Sequence, residues 1–360
     1  MPAQQATVVV TGIAGNLGLR LLPQLTEFRV IGVDRRPPET SLSVQFQPID
    51  LAQEDSWREL YELFRETQPV AVIHLAFVLD AVRSGVLDVD RMWHINVAGT
   101  ARVMEAITEA NRDQAVIQRF IIPSSVAAYG PELPQPVTEE APLNAHTLPY
   151  AIQKAECDKV VQQRAASLRG CSAYMLRPHI FAGATMDNYM IGAFRGTPNG
   201  ASRRAERMRQ EGKRFPCMMP FGQRYLDNRI QFVHVDDVAR LIAFLVRKRE
   251  PESQRLTVLN VAGRGEPLTF GRCIQMADAK LIRVPGKGAM RLVLKYLWKR
   301  KLSAIPPEAL PYMTSEYIMN TDRLKNFLGA EYERVIQYTI EDAFADSFVK
   351  APQERTVGVA

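Results

Sequence analysis

The apolar residues in the first half of the chain fall into short runs rich in β-branched side chains, and amphipathic segments separate most of these runs. The runs are apolar on both faces, which is typical of strands in a parallel sheet that helices cover on both sides. The pattern therefore predicts an α/β fold built on a doubly wound parallel sheet. The predicted strands span residues 7–12, 29–34, 44–51, 70–76, 118–125, 173–181 and 256–263.

The same pattern predicts two parts in the chain. The strands within residues 1–182, together with a returning segment at 232–264, form the predicted sheet domain. The pattern in 183–231 and 265–350 is less regular and is interrupted by turn-forming sequences such as GTPNGAS, so these residues are expected to form a smaller lid. Residues 351–360 are expected to form a disordered tail.

The composition, with 46% apolar and 23% charged residues, is that of an ordinary soluble protein. The longest apolar stretches, such as Leu241–Val246, are far shorter than the roughly 20 residues that a membrane span requires. No secretory signal precedes the first strand. Four cysteines show neither a metal-ligand spacing nor a disulfide framework. We therefore expect a cytoplasmic protein without a metal site.

The net charge of +6 is concentrated in two clusters, Arg203–Arg214 and Lys287–Lys301. In the second cluster, basic residues recur every four positions and apolar residues lie on a separate face, which predicts an amphipathic helix. The simplest interpretation is a solvated surface helix that packs on the core. Attraction to an anionic partner is the alternative: a phosphorylated substrate first, weak contact with a membrane surface second, and nucleic acid, which we do not expect, third.

The sequence TGIAGNLG places Gly12, Gly15 and Gly18 directly after the first strand and at the start of a helix. Glycines permit a tight turn and let backbone N–H groups approach a pyrophosphate. Asp34 ends the second strand, where a carboxylate can bind both ribose hydroxyls of an adenosine. Asp34 repels a 2′-phosphate and favours NAD, whereas Arg35 can accommodate that phosphate, so NADP is not excluded.

Tyr150 and Lys154 stand four residues apart in TLPYAIQK, one turn from each other on a predicted helix. Such a pair also occurs on helix faces that carry no chemistry. A tyrosine has a pKa of about 10, so it accepts a proton at neutral pH only when this pKa is lowered to about 7. The Lys154 ammonium and the positive charge of an oxidised nicotinamide both favour the phenolate. The spacing alone leaves two interpretations open: a plain helix face, or a base at Tyr150 whose pKa Lys154 lowers.

Further motifs follow in one order along the chain. They are IDL at 49–51, HLA at 74–76, NVAGT at 96–100, PSSVAAYG at 123–130, RPHIFAG at 177–183, FVHVDDVA at 232–239 and MNTDRLKNFLG at 319–329. With the glycine loop and the Tyr–Lys pair, they make the chain resemble an extended short-chain dehydrogenase/reductase, the group that includes NAD-dependent sugar-nucleotide epimerases and dehydratases. The resemblance implies a Rossmann-type domain with a smaller C-terminal substrate-binding lid.

The resemblance also implies cofactor contacts position by position. Asp50 and Leu51 would flank the adenine, residues 75–77 would line the dinucleotide, and Lys154 would hold the nicotinamide ribose. Asn96 would begin the helix behind the nicotinamide, with a simple helix cap as the alternative. The predicted cofactor-binding residues are Gly12, Gly15, Asn16, Leu17, Gly18, Asp34, Arg35, Asp50, Leu51, Leu75, Ala76, Phe77, Asn96, Ser124, Tyr150, Lys154 and Pro178.

The predicted catalytic residues are Ser125, Tyr150 and Lys154. Ser125 is included because the substrate oxygen needs a neutral hydrogen-bond donor near Tyr150. The family's Ser/Thr position falls on Ser125, and Ser124 takes its place if the strand register slips. In the related 4,6-dehydratases an Asp–Glu pair follows this serine. Here these positions hold Val126 and Ala127, which disfavours a dehydratase.

The substrate is less well indicated. Sugar-nucleotide enzymes of the family usually begin the segment corresponding to IQFVHV with an arginine, but this chain has Ile230 there and Arg229 one residue earlier. Asn188 lies near the place where family members contact substrate phosphates, with a plain loop residue as the alternative. The Met- and Phe-rich sequence PCMMPF at 216–221 suits a bulky apolar substrate or simple core packing.

Three hypotheses remain open at this stage. The first is an epimerase that acts on an anionic, nucleotide-linked sugar through a transient 4-keto intermediate. The second is a net dehydrogenase or reductase of a non-nucleotide alcohol or ketone, such as a sterol-like substrate. The third is a non-catalytic dinucleotide sensor or RNA-binding relative. Family members often dimerise through the helices that follow strands four and five, so the resemblance also implies a homodimer.

Overall fold

A computed structural model describes residues 5–40, 44–79, 89–112, 116–132, 136–248 and 255–349. The predicted tail at 351–360 lies outside these residues. The strands are β1 Thr7–Thr11, β2 Arg29–Asp34, β3 Gln45–Pro48, β4 Ala71–His74, β5 Arg119–Pro123, β6 Ser172–Pro178, β7 Ile180–Ala182, β8 Cys217–Pro220, β9 Arg229–Ile230, β10 Phe232–His234, β11 Leu256–Val261, β12 Leu268–Thr269 and β13 Leu281–Val284.

Short and long α-helices alternate with these strands. They are α1 Asn16–Leu21, α2 Ser56–Thr67, α3 Val89–Trp93, α4 Gly99–Ala110, α5 Pro149–Arg164, α6 Tyr189–Arg195, α7 Arg203–Gln210, α8 Arg224–Asp227, α9 Val235–Arg247, α10 Phe270–Met276, α11 Gly286–Lys299, α12 Leu310–Thr314, α13 Asp322–Leu328, α14 Tyr332–Val335 and α15 Ile340–Asp346. None of the described helices is both long enough and apolar enough to cross a membrane.

Seven strands form one sheet in the order β11-β6-β5-β4-β1-β2-β3, and all neighbouring pairs are parallel. The predicted doubly wound α/β fold is therefore confirmed. The interior strand β1 is buried on both faces: Val8 and Val10 pack in the layer that contains α1 and α9, and Val9 packs in the layer that contains α2 and α4. This explains why the strand sequence is continuously apolar rather than alternating.

The strand order reverses between β3 and β4, which lie on opposite sides of β1. In sheets of this kind, ligands bind in the crevice outside the carboxyl ends of the strands at such a switch point. The loops after β1, β2, β4 and β5 all lie at this edge. They carry most of the residues that the sequence singles out.

Two of the three small sheets belong to the part predicted to be a lid, where β9 pairs with β12 and β8 with β13. The third pairs β7 with β10, which both lie within the residues predicted to form the sheet domain. An apolar cluster of its own, which includes Phe194, Phe232 and Phe344, holds these elements together. The segment 232–264 contributes α9 beneath the large sheet and β11 at its edge. The division into two domains remains our interpretation.

Two proline residues mark places where an element ends early. The amphipathic segment 17–25 is α-helical only as far as Leu21 and continues as a short 3₁₀ turn at Leu22–Gln24, because Pro23 has no N–H to donate. The predicted strand over 173–181 ends at Pro178, and the chain then leaves the large sheet to form β7. There β7 pairs with β10, so the segments that lead into and out of residues 183–231 lie side by side.

Candidate active site

The glycine loop after β1 is shaped by close backbone contacts. Gly12 has a φ of +72°, and a Cβ there would lie 2.4 Å from the backbone nitrogen of Ala76. A Cβ at Gly18 would lie 2.4 Å from the carbonyl oxygen of Ile13. Gly15 is exposed, so the outer surface of the loop presents backbone without a side chain. This cradle fits the pyrophosphate of a dinucleotide.

The end of β2 lies beside this loop. The Asp34 carboxylate accepts hydrogen bonds from the backbone N–H groups of Ala14 (3.2 Å) and Arg35 (2.7 Å). The Arg35 side chain is exposed. On the opposite side of the loop, the Asn16 amide donates to the carbonyl of Thr185 (3.3 Å), while Leu17 packs on the core below. Asp34 is thus held at the position where an adenosine ribose would lie.

Asp50 and Leu51 follow β3, farther along the same edge. One Asp50 oxygen accepts from the Ala52 N–H (3.0 Å), and the other lies 3.5 Å from the Arg91 guanidinium. Leu51 is buried against the helices of this face. Both residues border the crevice, and their contact with an adenine remains a prediction.

The segment after β4 joins the two sides of the site. The N–H groups of Leu75 and Ala76 donate to the Thr11 carbonyl and hydroxyl at 3.0 and 3.4 Å. The Phe77 ring then reaches helix α5, where it meets the Tyr150 ring edge-on at 5.7 Å between centroids. The ammonium of Lys154 lies 3.7 Å above the Phe77 ring, within cation–π distance.

Lys154 is buried at the base of the crevice. Its Nζ donates to the carbonyl of Pro123, the last residue of β5, at 2.9 Å. Burial lowers the pKa of Lys154 to about 8, and the neighbouring Cys157 and Asp158 oppose this effect. Lys154 is therefore close to losing its charge near physiological pH.

Tyr150 is partly exposed at the first turn of α5 and shares a hydrogen bond with Ser125. Burial of the hydroxyl raises the pKa of Tyr150 to about 12, while the bond to Ser125 opposes the rise. Removal of the phenolate from water is the largest cause, and the negative charges of Asp158 and Cys157 add to the rise. The predicted lowering of the Tyr150 pKa includes the charge of an oxidised nicotinamide and stays a prediction; without cofactor, the pKa of Tyr150 lies above its ordinary value.

Ser125 is the second residue after β5 and has an extended conformation. Its hydroxyl accepts from the N–H of Ala127 (3.1 Å) and caps the 3₁₀ turn Val126–Tyr129. This turn directs Ser125 toward Tyr150. Ser124 is also buried, and its hydroxyl influences Asp158 rather than Tyr150. Val126 and Ala127 are buried and apolar, so this turn holds no acidic pair.

Asn96 has a different role from a helix cap. It lies inside a π-helical turn, His94–Ala98, and is fully buried. Its side chain accepts from the N–H of Val78 (2.7 Å) and donates to the Val78 carbonyl (3.1 Å) and to Gln153 (2.6 Å). The helix-cap alternative is therefore wrong. Asn96 ties the segment after β4 to the residue that precedes Lys154.

A buried ion pair behind the site was not predicted. Asp158, one turn beyond Lys154, lies 2.8 Å from the Nε of Arg177, and both side chains are only 1% exposed. Arg177 also donates to the Tyr129 hydroxyl (2.8 Å) and to the Glu139 carbonyl (3.0 Å). Burial raises the pKa of Asp158, and Arg177 opposes this rise. An acid four residues after Lys154 on the same helix face was the available sequence signal.

Pro178 directly follows this arginine, and it is buried at the end of β6. It closes the strand beside the crevice. Its predicted contact with the cofactor stays a prediction.

The residues predicted to meet the substrate lie in the lid. Ile230 is buried in the lid core, and Arg229 pairs with Glu316 at 2.7 Å on the surface. Asn188 caps α6 by accepting from the N–H groups of Met190 and Ile191. Its amide donates to a carbonyl of β7. Asn188 thus has a structural role, and Ile230 leaves the expected arginine position apolar.

Comparisons with known proteins are consistent with this geometry. An uncharacterized epimerase/dehydratase of Staphylococcus aureus (strain USA300) is 25% identical over 161 residues, which cover 43% of this chain and 47% of the relative. The alignment thus spans about half the length of the relative.

Solved structures share the fold at low identity. The UDP-glucose 4-epimerase of Thermotoga maritima, solved with UDP-glucose, has a TM-score of 0.66 and 19% identity, with 96% of this chain and 98% of that chain covered. The enzyme WbmG of Bordetella bronchiseptica, in complex with NAD and UDP, has a TM-score of 0.63 and 14% identity, with 96% and 93% covered. The family model described as NAD dependent epimerase/dehydratase family matches residues 8–262. The chain belongs to this family of NAD-dependent enzymes, and the predicted resemblance is confirmed.

Proposed function

We propose that the protein is an epimerase that acts on a nucleotide-linked sugar and keeps NAD bound through the reaction. The observation that supports this most directly is the arrangement of Ser125, Tyr150 and Lys154 around Phe77, beside the glycine loop. The solved structures with the same fold include a UDP-glucose 4-epimerase, which points to the same class of substrate.

Each of the three residues has a distinct part. When bound, NAD would supply the group that takes up and returns hydrogen at the reacting carbon. Tyr150 would remove the proton of the substrate hydroxyl, and Ser125, already hydrogen-bonded to Tyr150, would donate to the same substrate oxygen. Lys154 would hold the nicotinamide ribose from the base of the crevice.

The charge states in the protein alone suggest an order of events. Tyr150 is neutral because its pKa is about 12, so it cannot act as a base before the cofactor binds. A positively charged ring placed near Tyr150 favours the phenolate. Tyr150 would thus become a phenolate, and so a base, only after NAD has bound.

A second candidate is a net dehydrogenase or reductase of a bulky apolar alcohol or ketone. Ile230 replaces the arginine expected for a nucleotide-linked substrate, and Arg229 is engaged with Glu316. The lid also holds an apolar cavity lined by methionines and aromatic rings, among them Met190, Met218, Met219, Phe194, Phe215 and Phe270. These features favour an apolar substrate portion.

The two candidates differ in what happens to the cofactor. The purified protein is incubated with UDP-glucose, UDP-N-acetylglucosamine or a hydroxysteroid, and epimer, ketone and free NADH are measured. An epimer without net NADH supports the epimerase. Stoichiometric NADH and ketone support the second candidate. If neither substrate class reacts although NAD binds, both proposals fail.

A homodimer is proposed on the resemblance alone. The helices after the fourth and fifth sheet strands are α4 and α5, which pack against each other, and α5 carries Tyr150. Sedimentation velocity on the purified chain should give the mass of two copies, and a single-copy mass across the concentration range contradicts this.

A further inference from the structure

The two basic clusters of the sequence meet in the folded protein. The N–H of Ser202, directly before α7, donates to the carbonyl of Lys301 at 3.0 Å, and the N–H of Gly200 donates to the carbonyl of Leu302 at 3.1 Å. The start of α7, with the exposed Arg203, therefore adjoins the end of α11. We call the combined outer side of α11 and the start of α7 the basic surface.

The two sides of α11 differ sharply. Met290 and Leu294 are buried and pack with Leu148 and Ala151, next to the start of the helix that carries Tyr150. The charged residues lie on the outer side and are exposed: Lys287, Arg291, Lys295, Lys299 and Arg300. The charge of α11 is therefore presented to solvent rather than to the core.

The part of the basic surface that α11 and its flanking residues form has one sign of charge in its own sequence. The segment 279–307 contains eight Lys or Arg residues and no Asp or Glu. Lys287 lies 3.7 Å from Glu132. Within the described parts of the chain, Arg291, Lys295 and Lys299 form no ion pair. A surface of this kind attracts an anionic surface of matching extent.

Large apolar side chains protrude among these charges. Leu292 is 69% exposed and Tyr296 is 53% exposed, and they lie one turn apart on the outer side of α11. Phe221, 60% exposed, is tied to the end of β13 through its N–H bond to Val284, just before α11 begins. A helix with cationic residues beside exposed leucine and aromatic side chains is typical of a bilayer interface.

We propose that the basic surface docks onto an anionic phospholipid bilayer. The cations would contact headgroup phosphates, while Leu292, Tyr296 and Phe221 enter the boundary with the acyl chains. A second copy of the chain fits less well, because a twofold contact would bring the same cationic stripe against itself. A nucleic acid would match the charge but would leave the exposed leucine in water. The inference concerns binding only and holds for either candidate substrate.

The test is sedimentation of the full chain with vesicles of phosphatidylcholine and phosphatidylserine, against vesicles of phosphatidylcholine alone. Binding is expected only to the anionic vesicles and should weaken with salt, which screens the attraction. Each cation near such a surface raises the vesicle–water partition coefficient of the protein about fivefold. Replacing Arg291, Lys295 and Lys299 by Gln should therefore reduce binding on the order of 100-fold. Leu292→Ser with Tyr296→Ser should also reduce it, by about tenfold.

The matched control removes the same charge elsewhere. Arg58, Arg65 and Arg112 are exposed on the sheet domain, and their replacement by Gln should leave vesicle binding unchanged. Thermal unfolding verifies that each variant is folded. The proposal is overturned if wild-type protein does not bind the anionic vesicles, or if the control loses as much binding as the α11 variant. It is equally overturned if a single-stranded RNA binds this surface while vesicles do not.

Discussion

The pKa values of Lys154 and Tyr150 are both shifted toward the neutral form, which exclusion from water favours. Lys154 is buried between the Pro123 carbonyl and the Phe77 ring, and its pKa is about 8 rather than the usual value near 10.5. The pKa of Tyr150 is displaced the other way, to about 12. Both pKa shifts disfavour the ionised side chain, the ammonium of Lys154 and the phenolate of Tyr150. A charged ligand is needed to reverse these shifts.

The first prediction concerns the pH dependence of NAD affinity. Lys154 carries its charge below about pH 8 and loses it above, because its pKa is lowered. Loss of a charge-assisted hydrogen bond to the ribose should weaken NAD binding about fivefold as pH rises through this value. Calorimetric titration of NAD-free protein measures this. Lys154→Arg, which keeps its charge, should show no such decline; an equal decline in both proteins contradicts the role of Lys154.

The second prediction concerns the buried pair Asp158–Arg177. Both side chains are excluded from water, so Asp158→Asn leaves a buried guanidinium without its counter-charge. The free energy of unfolding should fall by about 3 to 5 kcal/mol. Urea unfolding followed by circular dichroism measures the loss.

The control for this prediction is an exposed pair. Glu109 and Arg112 lie 3.2 Å apart at the end of α4, with Arg112 71% exposed. Glu109→Gln should cost less than about 1 kcal/mol. Equal losses in the two variants would show that Asp158 contributes no more than a surface charge does.

At the level of elements, the glycine loop depends on a contact between two strand ends. Gly12 approaches Ala76 so closely that a Cβ would lie 2.4 Å from its backbone nitrogen, and its φ of +72° also excludes most side chains. The loop after β1 and the segment after β4 thus keep each other in place. Both must shift if Gly12 gains a side chain.

The third prediction follows from this contact. Gly12→Ala should reduce NAD affinity at least about 100-fold or, if the loop cannot adjust, lower stability by several kcal/mol, because backbone atoms would overlap. Gly288→Ala is the control, since a Cβ there meets nothing within 4 Å and Gly288 lies inside α11. The control should retain NAD affinity and gain up to about 1 kcal/mol. A Gly12→Ala protein with normal affinity would contradict the proposed cradle.

The strands and their parallel arrangement were predictable, whereas several local features were not. Apolar runs that are buried on both faces give a strong signal, and each predicted strand overlaps an observed one. The π-helical turn around Asn96 has no comparable sequence pattern, because it depends on hydrogen bonds to Val78 and Gln153. The break between β6 and β7 required knowledge of the partner strand β10.

At the scale of the whole molecule, the site is built from segments that are far apart in the chain. Motif order along the sequence indicated that the glycine loop, Ser125 and the Tyr–Lys pair belong together, and the structure brings Phe77 between them. The pKa values of Lys154 and Tyr150 could not be predicted from the sequence, because they depend on how deeply each side chain is buried in the fold. For the same reason, the contact between the two basic clusters was not foreseen: a few backbone hydrogen bonds in the lid create it.

The most direct test of the proposed chemistry is the turnover of Tyr150→Phe with the preferred nucleotide-linked sugar, compared with wild type at equal NAD saturation. Removal of the hydroxyl eliminates the proposed base but keeps the ring contact with Phe77. We expect turnover to fall on the order of 1000-fold, in line with the usual contribution of general base catalysis, while NAD affinity changes less than about threefold. Turnover within about tenfold of wild type would contradict the role of Tyr150 and, with it, the proposed mechanism.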